Sequence, residues 1–334
     1  MKAICVTPER TLEVRDIPRP AEAAPGHLLV EMDASAINHG DKTFLRLPNA
    51  AGAGLLPVGQ GVWGGASGAG TVRAIGAGVP ADYLGRQVAI YRSLTRSAET
   101  IGLWSEQAQV PWTSCLILPQ TVRARDYCGS LVNVMTAHAF LEEIVAAGHR
   151  GVIVTAGNSA TGRALGALAR ARKLPAILLV RHAEAAEALR REGEPHVIAA
   201  GEGLVDTLAP LAETLGATAV FDGVGGALAS ALVPALPMRS TLHAYGFLDR
   251  AAPFSIPTSL LMMKDLSLRR FSNFESATVR EPQRLAAALR ALEGVIGDPV
   301  FRTRLGEAFA YEHVEQAMAL EAPEGRKAIL LARA

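Results

Sequence analysis

Apolar and polar residues are distributed differently on the two sides of residue 125. Before it, apolar runs at 27–37, 70–79 and 85–91 lie among turn residues with little helical periodicity. Glycines are concentrated at 52–78. This pattern predicts short strands joined by tight turns, which is typical of a β-rich domain.

After residue 125, short apolar runs alternate with helical segments. Because parallel strands need a crossover connection, this spacing predicts a parallel doubly wound sheet. The predicted strands are 151–156, 176–180, 196–200, 218–224 and 240–247. Beyond residue 266 we predict a helix at 282–293 and a closing helix–strand pair, EHVEQAMALE and KAILLA. The chain is therefore predicted to be an α/β protein in which residues 1–124 and 266–334 form one domain and residues 125–265 the other.

The stretch TAGNSATGRALG (155–166) follows an apolar run and opens a helix. It places Gly157 and Gly162 at the first and third glycine positions of a dinucleotide-binding loop, with Ser159 at the second. In such a loop the free N–H groups and the positive dipole end of the helix receive a pyrophosphate. A plain strand-to-helix turn is the alternative, since a partial glycine motif is weak evidence alone.

Arg181 follows the next predicted strand, at the position that faces the adenine ribose in a dinucleotide fold. No acidic residue lies between Gly162 and Arg181 to accept a hydrogen bond from a 2′-hydroxyl. A guanidinium, in contrast, suits a 2′-phosphate. The sequence therefore predicts NADPH rather than NADH as cofactor. The alternative is a solvated arginine at a strand end.

Composition narrows the classes of partner. The net charge is +1 and charged residues make up 19% of the chain, which argues against attachment to nucleic acid or a membrane by bulk charge. No apolar run is long enough to span a bilayer, and the N-terminus lacks the apolar segment of a signal peptide. Three scattered cysteines are too few for a disulfide framework. We expect a cytoplasmic protein that acts on a small-molecule substrate.

Five segments together resemble a known family across nearly the whole chain. They are INHGD (37–41), LVNVMTAHAFL (131–141), TAGNSATG (155–162), SLLMMKDLSLRRF (259–271) and GRKAILL (325–331). They resemble the zinc-independent branch of the medium-chain dehydrogenase/reductase superfamily, most closely its NADPH-dependent 2-enoyl thioester reductases and then its quinone oxidoreductases. The resemblance implies a GroES-like β-barrel catalytic domain, a Rossmann cofactor domain, a cleft between them and a homodimer.

The resemblance also implies roles for individual residues. Thr136 would lie beside the nicotinamide ribose, and Asn158, Ser159 and Thr161 would lie along the pyrophosphate. Arg181 would hold the 2′-phosphate.

The nicotinamide end of the cofactor would be contacted by residues later in the chain. Those near its ring would be Tyr245, Gly246 and Phe247, and those at its carboxamide Phe271 and Asn273. Lys327 would close over the cofactor. Taken singly, Tyr245 and Phe271 could instead be core residues and Lys327 could be solvated.

A metal is not expected. Zinc-dependent relatives have a cysteine in the INHGD-type turn and a Gly-His-Glu sequence before the following strand. This sequence has Asn38 in the turn, and Ala66 and Ser67 at the other positions, none of which is a usual zinc ligand. His39 has no partner ligands in the sequence around it.

Without a Lewis acid, hydride transfer to an activated C=C bond or a quinone is favoured over alcohol oxidation. The preferred function is reduction of an enone or 2-enoyl thioester, and the alternatives are quinone reduction or a non-catalytic NADPH-binding relative. The enoyl thioester reductases have a tyrosine shortly after the turn, whereas residues 42–57 contain none. The proton donor is therefore not identified, and Asn38, as an orienting group, and Asn49 are the catalytic candidates.

Four more residues each have two interpretations. Trp63 and Trp104 could line an apolar substrate pocket or pack in the core. Arg92 could meet an acidic substrate tail, although a surface position is expected. Asp41 could face the substrate, although capping of the helix after the turn is expected.

Overall fold

The computed structural model describes residues 1–46, 61–62, 64–321 and 325–332. The chain divides into two compact units, residues 1–135 with 281–334 and residues 136–280. Each unit has its own hydrophobic core. Residues 266–280, which the sequence analysis assigned to the first domain, lie with the second unit because a strand within them pairs with that unit's sheet.

The described residues form fifteen strands and ten α-helices. In chain order the strands are β1 (Lys2–Val6), β2 (Leu12–Asp16), β3 (His27–Ala36), β4 (Ser67–Ile75), β5 (Gln87–Tyr91), β6 (Gln107–Pro111), β7 (Cys115–Ile117), β8 (Val152–Val154), β9 (Ala176–Val180), β10 (Val197–Ala199), β11 (Ala219–Asp222), β12 (Thr241–Ala244), β13 (Ser267–Arg270), β14 (Leu305–Ala310) and β15 (Lys327–Leu331).

The helices are α1 (His39–Arg46), α2 (Ser130–Ala146), α3 (Ala160–Ala171), α4 (Ala183–Arg191), α5 (Leu204–Leu215), α6 (Gly226–Leu232), α7 (Thr258–Met263), α8 (Ala277–Arg280), α9 (Pro282–Glu293) and α10 (Val314–Ala319). Helix α9 has the predicted bounds. Within the described ranges, no helix combines the length and apolar character that crossing a bilayer requires.

The first unit is built on a mainly antiparallel sheet. Its strand order is β14-β15-β3-β4-β5-β7, with β6 also paired to β3, and β1 and β2 form a separate pair. Strand β3 holds the sheet together because it pairs with three neighbours, and most of its ten residues are buried. Register shifts between β3 and β4 mark irregularities that bend the strands. The predicted strands at 27–37 and 85–91 are confirmed as β3 and β5.

The second unit is a six-stranded parallel sheet in the order β10-β9-β8-β11-β12-β13. The chain starts at the centre with β8, runs outward through β9 and β10, and then returns to fill the other side from β11. This is the strand order of a doubly wound dinucleotide fold, whose ligands bind where the order reverses, outside the carboxyl ends of the two central strands. All five predicted strands are confirmed, and the fold class is α/β as expected.

Two buried histidines of the second unit make its stability sensitive to acid. His243 is 3% exposed, and neither ring nitrogen has a hydrogen-bond partner among the described residues. Burial, with smaller contributions from His149 and Arg269, lowers the pKa of His243 to about 4. Burial, followed by the charge of Arg172, lowers the pKa of His138 to about 4 as well.

We expect the protein to lose stability as the pH falls from about 6.5 to about 4, because unfolding lets both imidazoles take up protons that the folded state excludes. The loss amounts to about 3 kcal/mol per histidine. His243→Leu, which removes two unpartnered nitrogens, should add about 1–2 kcal/mol at neutral pH and flatten this acid dependence. Urea unfolding at several pH values measures both effects, with the exposed His313→Gln as control. An acid dependence of the same size in His243→Leu would contradict the assignment.

Candidate functional site

The loop between β8 and α3 lies at the carboxyl end of a central strand of the second unit. Ser159 caps α3, since its Oγ accepts a hydrogen bond from the Gly162 N–H at 3.0 Å. The Gly157 N–H donates to the Leu179 carbonyl at 2.8 Å, which fixes the loop on β9. The first turn of α3 thus offers its other N–H groups at the point where the strand order reverses, as an anion site requires.

Two glycines of this loop allow it to pack closely against its neighbours. A Cβ on Gly157 would lie 2.8 Å from the Cβ of Leu178, and a Cβ on Gly162 would lie 2.6 Å from the carbonyl oxygen of Ala156. A real side chain at Gly162 would therefore push α3 away from the loop. This close helix–loop packing is the purpose of the third glycine in a dinucleotide-binding loop.

The polar residues predicted around the cofactor lie on three elements of the second unit. Asn158, Ser159 and Thr161 are half-buried on the loop and the start of α3, and Thr136 is half-buried on α2. Arg181 follows β9, is exposed, and makes no hydrogen bond or ion pair with the residues that the structure describes. Its guanidinium is therefore available to an anionic ligand.

A buried carboxylate that the sequence analysis did not identify ties β8 to β11. Asp222 is 2% exposed, and its Oδ1 accepts a hydrogen bond from Thr155 Oγ1 at 2.6 Å. The same carboxylate accepts from the N–H groups of Val224 and Gly225, while Thr155 Oγ1 accepts from the Gly223 N–H at 2.9 Å. These hydrogen bonds fix the backbone of the turn after β11. The only sequence signal for this carboxylate was an acidic residue at the end of the apolar run Ala219–Phe221.

Tyr245 lies against that turn. Its ring stacks on Phe221, with 3.8 Å between ring centres and 8° between planes. Its hydroxyl is hydrogen-bonded with Ser159, and a Cβ on Gly223 would lie 2.6 Å from this hydroxyl. Burial raises the pKa of Tyr245, so the hydroxyl stays protonated at neutral pH. Tyr245 is thus a core residue through its ring and part of the loop's polar surface through its hydroxyl.

The next two residues differ in exposure. A Cβ on Gly246 would lie 2.7 Å from the carbonyl oxygen of Gly223, so the two turns can approach only with glycine here. Phe247 is 49% exposed, and the guanidinium carbon of Arg250 lies 5.0 Å from its ring centre. The carboxyl edge of the sheet therefore carries an exposed aromatic surface.

Asn273 has a buried amide without a protein partner. It is 6% exposed, and neither its Oδ1 nor its Nδ2 has a hydrogen-bond partner among the described residues. An unpaired buried polar group of this kind costs about 1–3 kcal/mol. A ligand carboxamide has an N–H group that can donate to Asn273 Oδ1 and a carbonyl oxygen that can accept from Asn273 Nδ2. Phe271, in contrast, is buried and packs edge-on against Phe140 and Phe221, as a core residue does.

A second polar cluster lies in the first unit, at the turn before α1. Asn38 Nδ2 donates to Ala36 O at 3.1 Å, Asp41 Oδ2 at 3.2 Å and Ser67 Oγ at 3.0 Å. Asp41 Oδ2 also accepts from the Asn38 N–H at 2.7 Å, and its Oδ1 accepts from the Ala66 N–H at 3.0 Å. Asp41 therefore caps α1, as expected.

Lys327 completes this cluster from the start of β15. Its Nζ donates to Asn38 Oδ1 at 2.5 Å. Burial lowers the pKa of Lys327 to about 8, against the opposing charge of Asp41. Burial raises the pKa of Asp41, against the opposing hydrogen bonds from Asn38. The predicted Lys327 and Asn38 are thus in direct contact.

The remaining candidates have mixed outcomes. Asn49 and Trp63 lie outside the described residues. Trp104 is fully buried in the core of the first unit. The expected surface position of Arg92 is wrong: it is 8% exposed, and its Nε donates to the Gly65 carbonyl at 2.9 Å.

The positions at which zinc-dependent relatives have ligands are occupied by a hydrogen-bonded pair, Asn38 and Ser67. The parts of the chain that the structure describes contain no group of three or more His, Cys, Asp or Glu residues that could hold a metal ion.

No family model matches the sequence, and no curated protein matches it. Solved structures match it along 99% of its length. A mycobacterial quinone oxidoreductase is 26% identical and covered over 99% of its own chain, with a TM-score of 0.74. A mycobacterial protein in complex with NADPH is 25% identical, also covered over 99%, with a TM-score of 0.73. The Escherichia coli quinone oxidoreductase in complex with NADPH is 20% identical and fully covered, with a TM-score of 0.72. The chain thus has the fold of the medium-chain dehydrogenase/reductase superfamily, an antiparallel β unit and a six-stranded Rossmann-like unit.

Proposed function

We propose that this protein is an NADPH-dependent reductase whose acceptor is a quinone. Two of the matched structures, at 26% and 20% identity, are quinone oxidoreductases. They favour a quinone, which was the alternative acceptor in the sequence analysis, over the 2-enoyl thioester that was preferred there. The observation that carries the proposal is the buried amide of Asn273, which fits a nicotinamide carboxamide on the same unit that holds the predicted pyrophosphate loop.

The residues present fit NADPH, which supplies a hydride when bound. The N–H groups at the start of α3, together with Ser159, would bind the pyrophosphate, and Arg181 would bind the 2′-phosphate. Asn273 would pair with the carboxamide of the bound cofactor and so orient its nicotinamide ring. Phe247 provides an apolar surface for a flat ring.

Turnover with a panel of acceptors tests the proposal. Loss of dihydronicotinamide absorbance is followed with 1,4-benzoquinone, 1,4-naphthoquinone, an alkenal and crotonyl-CoA. We expect oxidation of NADPH with the quinones. Turnover with crotonyl-CoA alone would restore the thioester assignment, and NADPH binding without turnover on any acceptor would establish a non-catalytic relative.

Asn273→Leu tests the fit of the cofactor directly. Removal of an unpaired buried amide should raise the stability of the ligand-free protein by about 1–2 kcal/mol, while NADPH binding weakens about tenfold because the carboxamide loses its partner. Thermal unfolding and calorimetric titration measure the two effects. Asn133→Leu is the matched control, because this buried amide is already paired, with Gly129 O and Thr303 Oγ1, and should only lose stability. Unchanged NADPH affinity in Asn273→Leu would contradict the assignment.

We also propose that the protein is a homodimer formed through the second unit. Strand β13 is an edge strand with all four residues exposed, and Leu268 on it is 51% exposed. Met262 and Met263 on the adjacent α7 are each 76% exposed. A second copy can pair with this edge by its own β13 and cover these apolar side chains. Light scattering should give twice the 35.1 kDa chain mass, and a monomer at micromolar concentration would contradict the proposal.

A further inference from the structure

The proposed pyrophosphate loop begins directly after a threonine that is fully buried. We propose that this residue, Thr155, is a positioning residue for NADPH. Its hydroxyl ties the loop 156–159 to the turn after β11 and so holds the N–H groups at the start of α3 in the direction that the cofactor requires. The inference rests on the proposed function, and it adds to it a residue that acts without touching the cofactor.

The hydroxyl of Thr155 connects two strand ends. It donates to Asp222 Oδ1 at 2.6 Å and accepts from the Gly223 N–H at 2.9 Å. The bond to the carboxylate is charge-assisted and therefore belongs to the stronger class of hydrogen bonds. Thr155 follows β8 and Asp222 ends β11, and these are the two central strands of the parallel sheet. One side chain thus joins the two strand ends beside which a dinucleotide binds in this fold.

Packing alone does not call for a hydroxyl at this position. The three residues before Thr155 are Val152, Ile153 and Val154, all of them fully buried. Valine has nearly the same shape as threonine and is equally suited to a strand. A buried hydroxyl costs free energy unless it is hydrogen-bonded. The polar residue at the end of this apolar run therefore indicates a requirement for the two hydrogen bonds.

The residue after Thr155 has a strained backbone. Ala156 has a φ of 52°, in the left-handed region that a residue with a side chain keeps only where its surroundings hold it. On one side, the Thr155 hydroxyl is bonded to the turn after β11. On the other side, the Gly157 N–H donates to the Leu179 carbonyl at 2.8 Å. Loss of the first anchor would let Ala156 relax, and the loop would move relative to α3.

The turn after β11 reaches the loop by a second route, through Tyr245. A Cβ on Gly223 would lie 2.6 Å from the Tyr245 hydroxyl, so the turn packs directly against this group. The same hydroxyl is hydrogen-bonded with Ser159, which caps α3. A shift of the turn would therefore also displace the residue that begins the helix. Thr155 thus acts on the proposed phosphate site from both sides.

Thr155→Val removes the hydroxyl and keeps the shape of the side chain. We expect the NADPH dissociation constant to rise about tenfold, and that of NADH by the same factor, because both dinucleotides carry the pyrophosphate. With 1,4-naphthoquinone as acceptor, KM for NADPH should rise while kcat stays within about twofold. Thr155→Ser keeps the hydroxyl and should bind NADPH within about threefold of the wild type. Calorimetric titration and steady-state kinetics measure these changes.

Thr218→Val is the matched control for a purely structural role. The Thr218 hydroxyl is hydrogen-bonded with His149 Nδ1 at 2.9 Å, and Thr218 precedes β11, so it lies at the opposite edge of the same sheet. Both valine variants should unfold at lower urea concentration than the wild type, but only Thr155→Val should lose NADPH affinity. An unchanged NADPH affinity in Thr155→Val, or an equal loss in Thr155→Ser, would overturn the inference.

Amide hydrogen exchange tests the link in the wild type, without any variant. NADPH binding should slow exchange in residues 156–162 and in residues 223–225 together, because the Thr155 hydroxyl joins the two segments. In Thr155→Val the second segment should lose this protection. Protection confined to 156–162 in the wild type would overturn the inference. A wild type that binds no NADPH would instead overturn the proposed function itself, and the inference with it.

Discussion

Gly162→Ala is expected to weaken NADPH binding about 10- to 100-fold and to lower the free energy of unfolding by about 1–3 kcal/mol. The added Cβ would lie 2.6 Å from the Ala156 carbonyl and 2.7 Å from the Gly157 carbonyl. Both contacts are with backbone, so no side chain can move aside to make room. The loop must shift away from the start of α3, and the N–H groups proposed to bind the pyrophosphate lose their common direction.

Calorimetry and urea unfolding measure these two changes, with Gly201→Ala as the matched control. Gly201 belongs to the same unit, and a Cβ there would meet nothing within 4 Å. We expect the control to bind NADPH like the wild type. If Gly162→Ala lost stability but kept its NADPH affinity, the loop would be a plain strand-to-helix turn.

Arg181→Ala is expected to weaken NADPH binding about 10- to 100-fold, since a charge-assisted hydrogen bond contributes about 1.5–3 kcal/mol. The binding of NADH should stay unchanged, because its ribose carries no phosphate at this position. Arg181 is exposed and has no partner among the described residues, so its removal should leave the stability unchanged. The variant thus separates recognition of the ligand from folding.

Titrations with both dinucleotides measure this effect. Arg191→Ala, at the other end of α4, removes an exposed arginine from the same unit and is the control. A parallel loss of NADPH and NADH affinity would show that Arg181 acts through general charge. An unchanged NADPH affinity would leave the arginine as a solvated residue at a strand end.

The sequence predicted elements best where burial is continuous. Strand β9, with all five residues buried, was predicted at its exact bounds, because an apolar run between polar segments has few other interpretations. Strand β13 has four exposed residues. It lacks the apolar run that identifies the other strands in the sequence. The segment 266–280 was therefore assigned to the first domain, whereas it lies with the second unit.

The candidate site was predictable only in part. Gly157, Gly162 and Arg181 follow local patterns at strand ends, and the structure places them there. The contact between Asn38 and Lys327 joins residues 289 positions apart, and no local pattern encodes such a contact. Burial of Arg92 likewise depends on tertiary packing, since an isolated arginine in a strand-and-turn region is normally solvated.

One measurement tests the central claim most directly: calorimetric titration of the wild-type protein with NADPH and NADH under the same conditions. A 2′-phosphate that meets Arg181, together with a pyrophosphate at the start of α3, predicts that NADPH binds at least about tenfold more tightly than NADH. Equal affinity for the two dinucleotides, or no binding of either, would contradict the account.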